Sequence, residues 1–330
     1  MARKHLVTSE NPKPCVTRLR QNAHLPGVNS AFVEGASLDF GVSGGCRLKK
    51  VIITGDDFGL ARPVNEAIVR AHAEGILTSA SLMTGGDYFG DAVERARNHP
   101  TLRVGLHLTL VEGRPVSPPE LVPDLVDSNG EFSTRLARSG FRFFFLPRVR
   151  RQLETEIRAQ FEAFARTGLS LDHADAHNHM HLHPTVLGLM LKTGKEYGLR
   201  AVRLPKEPPL RSWRAAGDAL ASRLASAFFL APWMFLMKRT LRRASVKCND
   251  YLFGMTDGGG MTEPLLQKIL LNLPAGVTEL CCHPAVRRSA EIDRTMPLYR
   301  HEEEFRALTG DRLRRTLNEV QAKAIAFGDL

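Results

Sequence analysis

Short apolar runs alternate with longer amphipathic stretches along this chain. The first clear pattern begins at "KKVIITGDDFG", where the β-branched run Val51 to Thr54 ends in Gly-Asp-Asp. A brief apolar run cut off by glycine and acids predicts a buried strand. In "PVNEAIVRAHAEG" the apolar residues recur at helical spacing, with Pro63 near the start and Gly75 near the end, the usual asymmetry of helix termini. The alternation continues through strand "TSASLMT", helix "DYFGDAVERARNHP", strand "LRVGLHLTL", helix 148–167, strand "LSLDHADAH", helix 184–197 and strand "RAVRL". After residue 247 come "CNDYLFG", helix 263–272, strand "VTELCCHP", helices 302–308 and 311–322, and a last strand near "AIAFGDL". This rhythm predicts an α/β fold with parallel strands under covering helices. With about eight alternations, it favours a (β/α) barrel of the TIM-like type, irregular or incomplete, over an open sheet.

Three segments interrupt the rhythm. Residues 1–48 mix Pro, Gly, Ser and charges without periodicity and are expected to be a poorly ordered extension, leaving 49–330 as the barrel domain. The stretch from Val111 to Pro147 is a long loop with several Pro and Gly, expected to act as a lid or binding loop. Residues 205–247 form a basic, apolar insertion expected to be helical, containing "SRLASAFFLAPWMFLMKRTLRRA". Its apolar part, Phe228 to Met237 around Trp233, reads as too short to span a bilayer but suited to a membrane interface. The competing reading is a helix packed on the barrel with solvated arginines at its end.

Charge and composition sharpen this picture. The net charge is +10, and it is concentrated: residues 1–50 carry +5 and residues 205–247 carry +7, so the remainder is slightly acidic. No nucleic-acid-binding motif accompanies the basic segments, so nucleic acid is not an expected partner. Anionic lipid attracts each surface Lys or Arg by about 1 kcal/mol, which fits a peripheral membrane contact. The five cysteines are odd in number and form no C-x-x-C, pointing to a reducing compartment and away from disulfides or a thiolate zinc site. The first twenty residues lack the apolar core of a secretory signal, so a cytoplasmic location is expected, at the inner face of the membrane if the insertion docks there.

Candidate chemistry lies at the strand ends, where barrels place it. Asp56-Asp57, His107, the run "HADAHNHMHLHP" and His283 all end strands, and that run holds five of the twelve histidines. Odd positions share one strand face, so His173, Asp175 and His177 point the same way. Two imidazoles and one carboxylate from separate strands could hold a divalent cation and leave one position open for water. Singly, each feature has a plainer reading: a helix N-cap pair, a structural histidine, a surface metal-binding tract. Their joint placement at the ends of separate strands argues against those. Asp56 and Asp57 would face opposite sides of a regular strand, so both reach one site only if the chain has already turned, which Gly55 and Gly59 allow. Neither a G-x-S-x-G elbow nor a Cys-His signature points to an acyl-enzyme.

The segments "VIITGDDFGLARPVNEAI", "GILTSASLM", "RVGLHLTLVEGRPV", "DAHNHMHLHPTV" and "CCHPA" resemble the YdjC-like carbohydrate deacetylase family, which includes chitooligosaccharide deacetylases. The likeness runs over roughly residues 49–330. "FFFLPRVRRQLETEIRAQFEAF", "YGLRAVRLPKEP" and "CND" resemble more closely its hopanoid-biosynthesis branch, the HpnK type. The resemblance implies a metal-dependent amide hydrolase that removes acetyl from an N-acetylated sugar or sugar-lipid. By motif position, Asp57, His107 and His177 would hold one divalent ion, Mg2+ or Zn2+. Asp56 would be the general base and His283 the general acid, while His179, His181 and Arg203 would bind substrate. The branch implies an N-acetylglucosaminyl hopanoid lipid. The alternatives are a chitooligosaccharide deacetylase, a glycosidase or phosphoesterase on the same barrel, and a non-catalytic membrane adaptor. A homodimer partner is also kept open.

Overall fold

The computed structural model describes residues 49–330, so the expected extension 1–48 lies outside the described residues. In chain order the elements are β1 (Lys49–Phe58), α1 (Arg62–Ala73), β2 (Ser79–Leu82), α2 (Phe89–Asn98), β3 (Arg103–Leu108), α3 (Leu136–Phe145), α4 (Pro147–Arg166), β4 (Ala174–Ala176) and α5 (Pro184–Glu196). They continue with α6 (Pro209–Ala216), α7 (Leu220–Arg243), β5 (Tyr251–Phe253), α8 (Glu263–Leu271), β6 (Gly276–Cys282), α9 (Ala290–Thr295), α10 (His301–Thr309), α11 (Asp311–Glu319) and β7 (Lys323–Ile325).

The strands form one parallel sheet in the order β4-β3-β2-β1-β6-β5, and β7 pairs with β1 beside them. The sheet curls like part of a TIM-type barrel. Its two edges approach through residues 201–206 without a full ladder. Ala174 bridges Val202, Ala201 bridges Lys247, and Leu252 N donates to Lys206 O. The expected strand "RAVRL" is thus reduced to isolated bridges, and the barrel is incomplete. The long loop is also more structured than expected, since it contains α3.

Side-chain alternation along β1 explains how the sheet serves two interiors. Val51 and Ile53 pack into the layer between sheet and helices, together with Val64 and Ile68 of α1. Ile52 instead joins Ala201, Ile325 and Phe327 in a small cluster inside the curl. Higher on the same inner face the apolar residues give way to polar ones. Thr54 donates to Glu279 at 2.8 Å, and Asp56 meets Arg203. The inside of the half-barrel is therefore apolar at its base and charged towards the C-terminal strand ends.

The basic insertion folds as α6 and α7. The apolar stretch expected to be too short for a membrane belongs to a 24-residue helix with an 18-residue window of mean hydropathy 1.4, long and apolar enough to cross one by length and composition. Pro232 sits inside it. Only 11% of its apolar window is buried, so it covers the body along little of its surface. Arg223 near one end, and Met237 and Leu241 near the other, are buried in the fold. A helix anchored at both ends in one globular body cannot place its ends on opposite sides of a bilayer core about 30 Å thick. It lies along the body instead.

Candidate metal centre and active site

The end of β1 brings two adjacent carboxylates to one place. Asp57 takes a left-handed backbone conformation, φ 61°, and the pairing of β1 with β2 shifts register between Gly55 and Phe58. The turn expected of Gly55 thus occurs at Asp57 itself, and Gly59 follows at φ 103°. Left-handed geometry is unfavourable for most non-glycine residues but tolerated by aspartate.

Donor atoms of Asp57, His107 and His177 lie within 4.8 Å of one another, and all three residues are buried. His177 Nδ1 is 3.0 Å from Asp57 Oδ1, and His107 Nε2 is 3.4 Å from the same oxygen. Each imidazole has a second carboxylate behind it. His107 Nδ1 donates to Asp175 at 2.8 Å, and His177 Nε2 faces Glu112 at 3.6 Å. Carboxylates in that position orient imidazoles that bind metals. The other Asp57 oxygen, Oδ2, is buried without a hydrogen-bond partner. An orphaned carboxylate oxygen beside two oriented imidazoles is a donor set that fits a divalent cation.

Beneath this cluster lies Arg203, fully buried. Its guanidinium donates to both oxygens of Asp56 at 2.7 Å and to Glu279 at 2.9 Å, and forms an ion pair with Asp175 at 2.5 Å. Burial by itself would raise the Asp56 carboxyl, but the Arg203 charge and hydrogen bonds overcome it and hold the group below its ordinary range. Asp175 is likewise raised by burial but driven well below that range by Arg203 and His107. For Asp57, His177 and His107 together outweigh burial. These carboxylates exceed the one guanidinium in charge. Against the opposing effect of burial, they push His107 up to about 10 and His177 to about 9.

On the other side of Asp56, Cys281 donates its thiol to Oδ2 at 3.1 Å, and His283 brings a donor atom within 4.8 Å of both. His283 Nδ1 is buried and without a partner. Its backbone is fixed on both sides: its N–H donates to Glu304, and His301 Nδ1 donates to its carbonyl at 2.6 Å. Tyr299 packs edge-on, ring centroids 5.1 Å apart. Burial, followed by the Asp57 charge, pushes the Tyr299 phenol up to about 12.

The histidine run divides by environment. His177 joins the cluster. His173 stacks on Phe327 at 4.3 Å and donates to Asp172, which makes it a core residue. His183 caps α5, accepting from Thr185 N, and packs against Phe143 and Phe144. His179 is half-buried at φ 52° with an unpartnered Nδ1. Two expected substrate-binding residues need correction. Arg203 is enclosed under the carboxylates, and His181 is fully buried with Nε2 donating to the Arg203 carbonyl. Neither presents a surface to a sugar, and both hold other groups in place. Glu112, Glu279 and Tyr299 were given no role by sequence reasoning, and Asp175, placed on the His177 face by strand parity, was given none beyond that placement. Glu112 and Tyr299 come from loops and carry no comparable signal.

Comparison with known proteins supplies the family context. Residues 50–319 match the family model described as YdjC-like protein. A carbohydrate deacetylase of Brevibacillus brevis is 31% identical over 282 residues, spanning 85% of this chain and 99% of that protein. A carbohydrate deacetylase of Vibrio vulnificus strain YJ016 is 30% identical, spanning 85% and 96%. Among solved structures, a proposed cellobiose-phosphate cleavage protein of Enterococcus faecalis V583 superposes with a TM-score of 0.66 at 24% identity, covering 86% of this chain and 98% of that one. That structural likeness speaks to the fold alone.

Proposed function

The chain belongs to the YdjC-like protein family, and from that premise we propose that it is a metal-dependent carbohydrate N-deacetylase acting on an N-acetylglucosaminyl lipid of the hopanoid type. The observation that carries the hydrolase reading is the convergence of Asp57, His107 and His177 around an unpartnered Asp57 oxygen. When bound there, Mg2+ or Zn2+ would polarise the amide carbonyl and lower the pKa of water.

The remaining chemistry belongs to the chain. Asp56 is the general base. A carboxylate offers about four lone-pair sites. Arg203 and Cys281 take three of them, leaving one to accept a proton from water. Arg203 keeps that carboxylate ionised and fixes its plane. His283, with a free ring nitrogen and a fixed backbone, delivers a proton to the departing amine. Positioned acids and bases of this kind contribute roughly 10²–10⁴-fold each. Cys281, though close, is no nucleophile, because burial pushes its thiol well above the ordinary range. Direct attack by water follows. His179, half-buried with an unpartnered Nδ1, is retained as a sugar-binding residue.

The lipid part of the reading draws on α7, whose Phe228, Phe229 and Phe235 are all at least 70% exposed beside a basic end. A soluble oligosaccharide gives no reason for such a surface. The same helix is the proposed contact with the inner face of the cytoplasmic membrane.

Acetate release tests the activity. The purified protein should release acetate from an N-acetylglucosaminyl lipid faster than from N,N′-diacetylchitobiose, called chitobiose below. Asp57→Asn should lose bound metal, and Asp56→Asn should lose turnover while keeping it. Deleting the gene should accumulate a polar lipid heavier by one acetyl group. Preference for chitobiose would assign the soluble substrate instead. Free sugar or phosphate in place of acetate would overturn the deacetylase reading.

A further inference from the structure

A concave site lies where the chain leaves Arg203. It is a cavity of about 780 Å³ between α7 and residues 204–209. One stripe of α7 lines it, Ala227, Leu230, Ala231, Met234, Phe235 and Lys238, at the i, i+3, i+4, i+7 spacing by which a helix normally buries itself in protein. Leu204, Pro205, Pro208 and Met255 form the facing wall. The volume is that of a small-molecule site.

The stripe has a polarity along its length. It starts apolar at Ala227 and ends in Lys238, Arg239, Arg242 and Arg243, which line the same cavity. Among the described residues, no carboxylate pairs with those three arginines, and Lys238 has only Asp250, at 3.9 Å. The one carboxylate in the lining, Glu207, is taken by Ser212 and by Thr256 N. From Ala227 to Lys238 the helix rises about 16 Å, comparable to a medium-length acyl chain. An apolar slot closed at one end by uncompensated cations is complementary to a molecule with a hydrocarbon chain and an anionic head.

We infer that this cavity holds an acyl chain of an anionic membrane phospholipid, with the phosphate resting on Lys238, Arg239, Arg242 and Arg243. The site is independent of what the enzyme deacetylates. It would seat one lipid there and fix the body's orientation on the bilayer, which a flat apolar patch does not do.

Calorimetric titration of the full chain with lysophosphatidylglycerol, lysophosphatidylcholine and inorganic phosphate, each kept below micelle-forming concentration, tests it. The glycerol lipid should bind about tenfold or more tightly than the choline lipid, and phosphate alone should bind far more weakly. Ala231→Phe fills the slot and should abolish binding of both lipids. Arg242→Glu with Arg243→Glu should remove the preference for the anionic one. Neither change touches the catalytic residues, so acetate release from chitobiose checks that the variants fold. Should Ala231→Phe fail that check, Ala227→Phe fills the slot from its other end. Equal affinity for the two lipids, binding that survives the filled slot, or phosphate binding as tightly as the lipid would each overturn the inference.

Discussion

At the scale of single residues the site turns on Arg203. A guanidinium buried among three carboxylates is worth little as a stabiliser compared with a well-packed apolar residue, yet removing it strands charge. Arg203→Met should cost about 3–5 kcal/mol in chemical denaturation, because Asp56, Asp175 and Glu279 lose their shared partner. A purely structural residue would stop there. Arg203 also holds the Asp56 carboxyl down against burial. Without it burial wins, the folded pKa of Asp56 rises, and the base is protonated at higher pH. The acid limb of kcat/KM should therefore move to higher pH in the surviving folded fraction. An unmoved acid limb would show that Asp56 is not the base. A second residue-scale prediction concerns His107 and His177. With protons alone to balance their carboxylates they titrate at about 10 and about 9. Both are then cationic at neutral pH, and a metal must displace those protons. Metal affinity should fall as pH drops below about 9, with about two protons released per ion at neutral pH. Calorimetry in buffers of different ionisation enthalpy counts them, and zero release would exclude both imidazoles as ligands.

At the scale of elements, what the sequence made legible and what it hid have distinct physical causes. Strand-end positions such as Asp57, His107 and His177 are readable because period-two alternation and the switch to a helical pattern locate a strand's end without knowledge of its neighbours. The Arg203 network is not readable that way. Asp56, Asp175, Arg203 and Glu279 come from four separate segments, and only the sheet order brings them together. The same limit applies to "RAVRL", whose β-branched pattern is real but which finds only isolated partners at the barrel's open edge. Helix α3 was hidden because the several Pro and Gly of the stretch from Val111 to Pro147 read as loop, while the structure packs it on α4. Gly105 shows how an element can be tied to the site. It sits on β3 two residues before His107, and a Cβ there would strike the His173 ring. Gly105→Ala should cost about 1–3 kcal/mol by overpacking and should weaken metal binding through the displaced strand. Gly188→Ala in α5, where nothing lies within 4 Å of the added Cβ, should be neutral or stabilising by up to about 1 kcal/mol. Denaturation curves with metal titrations on both variants separate the two. Equal effects would remove the steric argument.

At the scale of the whole molecule, the uneven charge and the incomplete barrel bear on one question, which is how a body with a buried polar centre would meet the proposed substrate, with its large apolar part. The candidate metal ligands lie at the C-terminal ends of the strands, and α7 packs against the turn His177–Leu182 that carries one of them. An apolar surface on α7 is therefore next to the chemistry and not on a remote face. Two forces could hold that surface to a membrane. Burying each exposed aromatic is worth about 1.5–3 kcal/mol, while each nearby Lys or Arg adds about 1 kcal/mol on anionic lipid and is screened by salt. Phe229, Trp233 and Phe235 are 72%, 42% and 70% exposed, so the aromatic part should dominate. Flotation with anionic vesicles should accordingly weaken only partly as salt is raised. Replacing Phe229, Trp233 and Phe235 with Ser should abolish it, with acetate release from soluble chitobiose unchanged. Flotation that vanished in salt but survived the serine replacements would mean that charge alone recruits the protein and that the aromatic ridge serves another purpose.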